Sequence, residues 1–249
     1  NQIAYVSRVG ESAGKMYGFV YDGTYKEEDF NITVNENGKK TYELKPGVPK
    51  FKDGCQPGDP KYKNIDGSED NLITDNDRTV IGNGHPLHTG GFTNNFVYKN
   101  WDLNIFLQWS YGNDVFNVNR LVMENPGAKK QLNQFASYKN RWSESNPTSN
   151  IPRVRAVGAD EYSSLYVEDG SFLKLKTISL GYNFDTKTLK RIGLSAARVF
   201  VSAENIATIT GYSGSDPEVS TRHSVLTPGF DWSAYPRAFN ASLGVNVTF

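Results

Sequence analysis

The sequence predicts an all-β chain: strands of a transmembrane β-barrel wall, joined alternately by short turns and long polar loops. Three observations predict it. Several segments alternate apolar and polar residues with a period of two, the signature of a strand with two unlike faces. Aromatic residues make up 13% of the 249 residues and Gly numbers 23, while hydrophobic content is only 37%. That composition suits β-structure with polar loops rather than a helical bundle. The third observation is loop length, which is short on one side and long on the other.

The final segment carries the cleanest pattern. In "RAFNASLGVNVTF", Phe239, Ala241, Leu243, Val245, Val247 and Phe249 share one face, opposite Asn240, Ser242, Gly244, Asn246 and Thr248. "WDLNIFLQWSY" (101–111) repeats it, with Trp101, Leu103, Ile105, Leu107, Trp109 and Tyr111 on one face. At about 3.3 Å per residue and a tilt of about 40°, Trp101 and Trp109 differ in height by roughly 20 Å, near the apolar band of an outer-membrane barrel with its aromatic rims. A half-buried strand of a soluble sandwich would alternate in the same way. "GGFTNNFVY" (90–98) reads as the partner strand, turned by Lys99–Asn100 without an Asn-Gly signature.

"SFLKLKTISLGYNF" (171–184) is the next strand. Ile178, Leu180, Tyr182 and Phe184 form its apolar face, and strict alternation puts Lys174 and Lys176 on that same face, beyond the lipid zone. In "ARVFVSAENIATI" (197–209), Val199, Val201 and Ala203 share a face; "GKMYGFVYDGTY" (14–25) is a weaker strand. Long links occupy about 26–89, 112–165 and 210–236, and the second is expected to carry a helix from about 128 to 142. Structureless loops of that length are uncommon in soluble domains, whereas outer-membrane barrels pair short periplasmic turns with long extracellular loops. If the last strand ends at the periplasm, all three long links fall outside the cell. About six strands cannot close a barrel, which needs about eight, so the chain is expected to contribute to a larger one.

Charge and chemistry narrow the function. Lys plus Arg and Asp plus Glu are 27 each, so no bulk electrostatic attraction favours nucleic acid. Cys55 stands alone, which excludes a disulfide framework or a cysteine metal site. His85 and His88 are split by Pro86 and lack a third ligand, His223 lies in a loop, and "GNGHPLHTGG" lacks the strand–helix context of a phosphate site. Neither a nucleophile elbow nor a paired general acid and base is apparent, and the chain reads as a non-enzyme.

"DGSEDNLITDND" (66–77) is the one motif with metal-ligand spacing. Taken as a 12-residue calcium loop, Asp66, Ser68, Asp70, Leu72 (by its carbonyl), Thr74 and Asp77 occupy positions 1, 3, 5, 7, 9 and 12. Asn71 replaces the usual Gly at position 6 and is the next residue most tolerant of left-handed backbone. Ile73 is an apolar anchor, and Asp77 is shorter than the usual Glu. A structural calcium ion is expected here. Trp142, Tyr162, Tyr166, Tyr212, Trp232 and Tyr235 flank the long loops and are candidates for contact with a ligand or partner.

In order, "YGFVYDGTY", "DNDRTVIGN", "TGGFTNNFVYKNWDLNIFLQWSYGNDVFN", "YVEDGSFLKLKTISLGYNF", "VFVSAENIATITGYSGSDPEVS" and "YPRAFNASLGVNVTF" resemble the C-terminal part of the SusC/RagA family of TonB-dependent outer-membrane transporters. The resemblance covers nearly the whole chain. It implies a 22-stranded barrel in the outer membrane, with residues 1–249 forming one C-terminal segment of it. It also implies an N-terminal plug and a TonB-contacting segment, both expected upstream of Asn1, a SusD-type surface lipoprotein as a lid, and import of glycans or peptides. Phe249 matches the family's terminal Phe, which is read by the barrel-insertion machinery. Residues 26–62 lack a strong family pattern, and "YPRAF" is shorter than in relatives. The 66–77 loop is a weakened form of the family's loop, with Ser68 and Thr74 in place of stronger ligands. The alternative is a secreted, calcium-stabilised β-sandwich that binds carbohydrate; in that case the apolar strand faces would be buried.

Overall fold

The computed structural model describes residues 4–125 and 133–249. The chain divides into two compact units. One comprises 86–113, 169–219 and 235–249; the other comprises 1–85, 114–168 and 220–234.

The first unit is a five-stranded antiparallel wall. Its strands are β1 (His88–Tyr98), β2 (Trp101–Tyr111), β3 (Phe172–Asn183), β4 (Ala196–Thr210) and β5 (Asn240–Thr248), and each pairs with the next in the chain. Lys99 turns β1 into β2 with a φ of 53°, a left-handed residue where a Gly or Asn would be usual. The β3–β4 link holds a short helix, Thr186–Lys190, capped by the Asp185 carboxylate accepting from the Lys187 N–H.

Register aligns the apolar residues into one continuous face. Leu103 pairs with Leu180, Ile105 with Ile178 and Leu107 with Leu175. On the far side, Leu180 pairs with Val201, which pairs with Leu243. This face stands open: Leu243 is 77% exposed and Ile209 71%. A sandwich would bury these side chains, so the sandwich alternative does not describe this wall. The opposite face is polar. There the Arg198 guanidinium on β4 bonds the Asp102 carboxylate on β2 at 2.5 Å, passing over Gly181 on β3.

One expectation is corrected. Lys174 and Lys176 do not extend the apolar face. The register of β3 shifts between Leu175 and Thr177 against both neighbours. The extra residue is Lys176, and a β-bulge of this kind swaps the faces. Leu173 and Leu175 therefore share the apolar face with Ile178, while Lys174 turns to the polar side and is 2% exposed. β4 answers with a matching irregularity at Asn205, whose φ is 53°.

The second unit is where the long loops gain structure of their own. The weak strand at 14–25 is in fact two short strands, Lys15–Phe19 and Tyr21–Thr24, and neither belongs to the wall. Lys15–Phe19 lies between Tyr5–Val6 and Arg78–Asn83, and Tyr21–Thr24 pairs with Pro60–Tyr62. Phe30–Val34 and Lys40–Leu44 form a hairpin. Met16, Phe116, Val118, Tyr166 and Phe230 pack as its main core, with Phe19, Tyr62 and Ile73 as a second cluster. The helix expected at 128–142 falls partly on residues outside the described ones. Within the described part there is a 3-10 turn at Ala136–Asn140, and the α-helix lies earlier, at Val118–Met123.

Candidate functional site

Three groups of residues bear on function: the two faces of the wall, an ionic cluster on its polar side, and the acidic loop of the other unit.

The ionic cluster is built by the bulge. The Lys174 ammonium donates to Asp216 Oδ1 at 3.2 Å and to Glu218 Oε2 at 2.6 Å. Lys176 and the Arg237 Nε each reach Glu218 Oε2 at 3.3 Å, and Gln108 donates to Oε1 at 3.4 Å. Asp216 also accepts from the N–H of Glu218 and of Arg237. Burial works against the charged form of both acids. For Asp216, the two N–H groups and Lys174 outweigh it; for Glu218, the cations Lys174, Lys176 and Arg237 do. Both carboxyls therefore titrate below their ordinary range. Pattern reasoning missed this cluster, because Lys174 is placed by a register shift that needs a partner strand to exist.

The acidic loop closes on Asp77. Its Oδ1 accepts from the N–H of Ile65 at 2.7 Å and of Asp66 at 3.1 Å, and its Oδ2 from Thr74 at 2.8 Å. Asp77 is fully buried, and Thr74 caps the short turn Asp75–Asp77. Asn71 adopts a φ of 54°, the left-handed geometry its position demands. Ile73 is buried, and its N–H bonds the Lys50 carbonyl at 2.8 Å. On the exposed side, Asp66 accepts from the Ser68 N–H, and Asp70 accepts from the Ser68 hydroxyl and the Leu72 N–H. Those last two bonds, the Leu72 N–H first, hold the Asp70 carboxyl below the usual range. The donor set suits a hard cation in kind: three carboxylates, two hydroxyls and a carbonyl. Asp77 has four lone-pair directions, three of which already accept backbone N–H groups, leaving room for one contact and not the bidentate grip of a strong site. Among the described residues, no three His, Cys, Asp or Glu groups converge as a metal cluster would.

The six loop aromatics separate by burial. Tyr166 is a core residue whose hydroxyl donates to the Ala159 carbonyl at 3.0 Å, and Tyr212 is also buried. Tyr162 packs edge-on to Phe116, and the Trp142 ring lies against Gly58. Tyr166 and Tyr212 thus lack the exposed faces expected of them, while Tyr162 and Trp142 are half-buried. Trp232 is 37% exposed and Tyr235 90%. Elsewhere, His88 accepts from the Trp109 indole and stacks on Tyr111, while His85 bonds the Val225 carbonyl. Cys55 is a buried thiol whose ionisation burial pushes up, an inert packing role.

Comparison with known proteins gives a consistent picture. No protein-family profile matches the chain. It is 33% identical to TonB-dependent receptor P3 of Formosa agariphila over 98% of its own length, and 31% identical to TonB-dependent receptor P26 of the same organism over 97%. It spans 23% of each of those relatives. It is also 30% identical to TonB-dependent receptor SusC of Bacteroides thetaiotaomicron, over 64% of this chain and 15% of that protein. Among solved structures, the RagAB peptide importer in its closed-closed state superposes with a TM-score of 0.70 at 21% identity, covering 99% of this chain and 24% of that one. The same importer in its open-open state gives 0.66 at 19% identity.

An open apolar wall with a polar reverse, superposing on an importer barrel, defines the class as an outer-membrane type of β-barrel wall. Within that class, the chain belongs to the SusC/RagA family of TonB-dependent receptors.

Proposed function

We propose that the protein takes part in TonB-dependent import across the bacterial outer membrane, with the five-stranded wall as lipid-facing barrel and no catalytic step. The observation that carries this reading is the exposed apolar face running through five strands, interrupted on β1 by Asn94. Outer-membrane lipid would cover it. A SusD-type surface lipoprotein is the expected partner, and glycan or oligopeptide the cargo; the likeness to a peptide importer favours neither, since it rests on fold. Of the six loop aromatics, Trp232 and Tyr235 expose the most ring surface to such a partner or cargo. Phe249, the exposed last residue, would serve the insertion machinery.

The test uses cells producing the protein. Uptake of oligosaccharides and oligopeptides is compared with and without TonB, and the protein is extracted with and without detergent. Import of one class that stops without TonB, from a detergent-requiring protein, is the expected result. A protein that stays soluble without detergent would sink the reading.

Calcium at the 66–77 loop is a separate proposal. Asp66, Ser68, Asp70 and Thr74, the Leu72 carbonyl and one contact from Asp77 would hold it, and the ion would brace the loop. Affinity of about 10⁻⁴ to 10⁻³ M is expected, as for extracellular modules. Terbium luminescence titration reads it; a signal that survives Asp70→Asn unchanged would refute this site.

A further inference from the structure

The cluster around Glu218 serves neither the lipid face nor the acidic loop. It joins the strand wall, through Lys174 and Lys176, to both arms of the loop between β4 and β5. Asp216 and Glu218 stand on the outgoing arm, and Arg237 on the returning arm. Both acids bridge all three: Asp216 takes the Lys174 ammonium on one oxygen and the Arg237 N–H on the other, and Glu218 Oε2 meets Lys174, Lys176 and the Arg237 side chain.

We propose that this cluster is a latch, which holds the roots of the 211–239 loop against the polar face of the wall and releases them from the Arg237 side. Charge count and exposure give the order of release. Three cations face two carboxylates, so the cluster carries one excess positive charge and attracts anions. The Arg237 side chain is 53% exposed and that of Lys176 22%, whereas Lys174 is 2% exposed. A competing anion reaches Arg237 first, freeing the returning arm. Lys174 keeps the outgoing arm until Glu218 itself is neutralised. Ions suit a latch because a buried pair adds little over apolar packing while intact, yet loses much when one partner goes.

The latch is tested by hydrogen exchange on the folded protein in detergent or membrane. Arg237→Gln should speed exchange at 235–239 about tenfold, and Glu218→Gln should do so at 211–219 as well. The amides of β2 and β3 should keep their protection. In the unmutated protein, sulfate at the ionic strength of a chloride control should reproduce the Arg237→Gln pattern. Unchanged exchange in both arms would overturn the latch, as would an equal rise throughout the wall. No response to sulfate would overturn the order of release. If Glu218→Gln does not fold, Arg237→Gln and sulfate decide, since Arg237 is half in solvent.

Discussion

Single residues carry much of the fit. Gly18 is one: a Cβ there would stand 2.3 Å from the Tyr162 carbonyl oxygen, a backbone atom that cannot swing away. Gly18→Ala should cost about 1–3 kcal/mol, read as a lower thermal midpoint. Gly211→Ala, with open space around it, is the control and should change little. Asp77→Ala should also destabilise, by about 1–3 kcal/mol, because it strands buried N–H groups in the loop. That loss should appear with calcium chelated, which separates the clasp from any ion. The left-handed turn at Asn71 and the buried anchor at Ile73 were legible in the spacing of one short motif. The clasp by Asp77 was not, because ligand spacing alone does not say which backbone groups a carboxylate will meet.

At the scale of elements, the strands announced themselves and the bulge did not. Alternation located four of the wall strands, since each has one apolar and one polar face; β1 was read as the partner of β2. It misplaced Lys174 because parity was counted through Lys176 as if no residue were extra. Apart from the weak strand at 14–25, the small sheets of the other unit were read as loop, for their strands are two to six residues long and carry no sustained period. The loop that Asp216 and Glu218 anchor should answer to acid. Both carboxyls are held below their ordinary values of 3.8 and 4.5, so the unfolded chain binds protons more readily there. Their contribution is complete above those values and is lost as pH falls through the lower, folded-state ones. Thermal midpoints should hold from neutral to about pH 5 and drop below pH 4, with a shallower acid-side decline in Glu218→Gln.

For the whole molecule, which face meets lipid is the governing fact. Leu243→Arg puts a charge on the apolar face of β5 and should cost about 2–4 kcal/mol if it sits near the bilayer midplane, read as less folded protein in the outer-membrane fraction. Ser242→Arg, one residue away on the polar face, should be tolerated. Family membership was legible because six motifs occur in order along nearly the whole chain. Cargo was not, because these strands show one side of a wall and the chain spans about a quarter of its relatives.

The ion pair across Gly181 has a consequence for assembly. Arg198 and Asp102 meet over β3 only where its residue has no side chain. A slip of β3 by one position would bring Leu180 or Tyr182 beneath the pair and drive the two strands' charges apart. The same slip would turn every oily residue of β3 inward. Gly181 thus acts as a keyway, and the charges as the key. Three strands can slide past one another as they zip together, but only the correct alignment lets the pair drop into place.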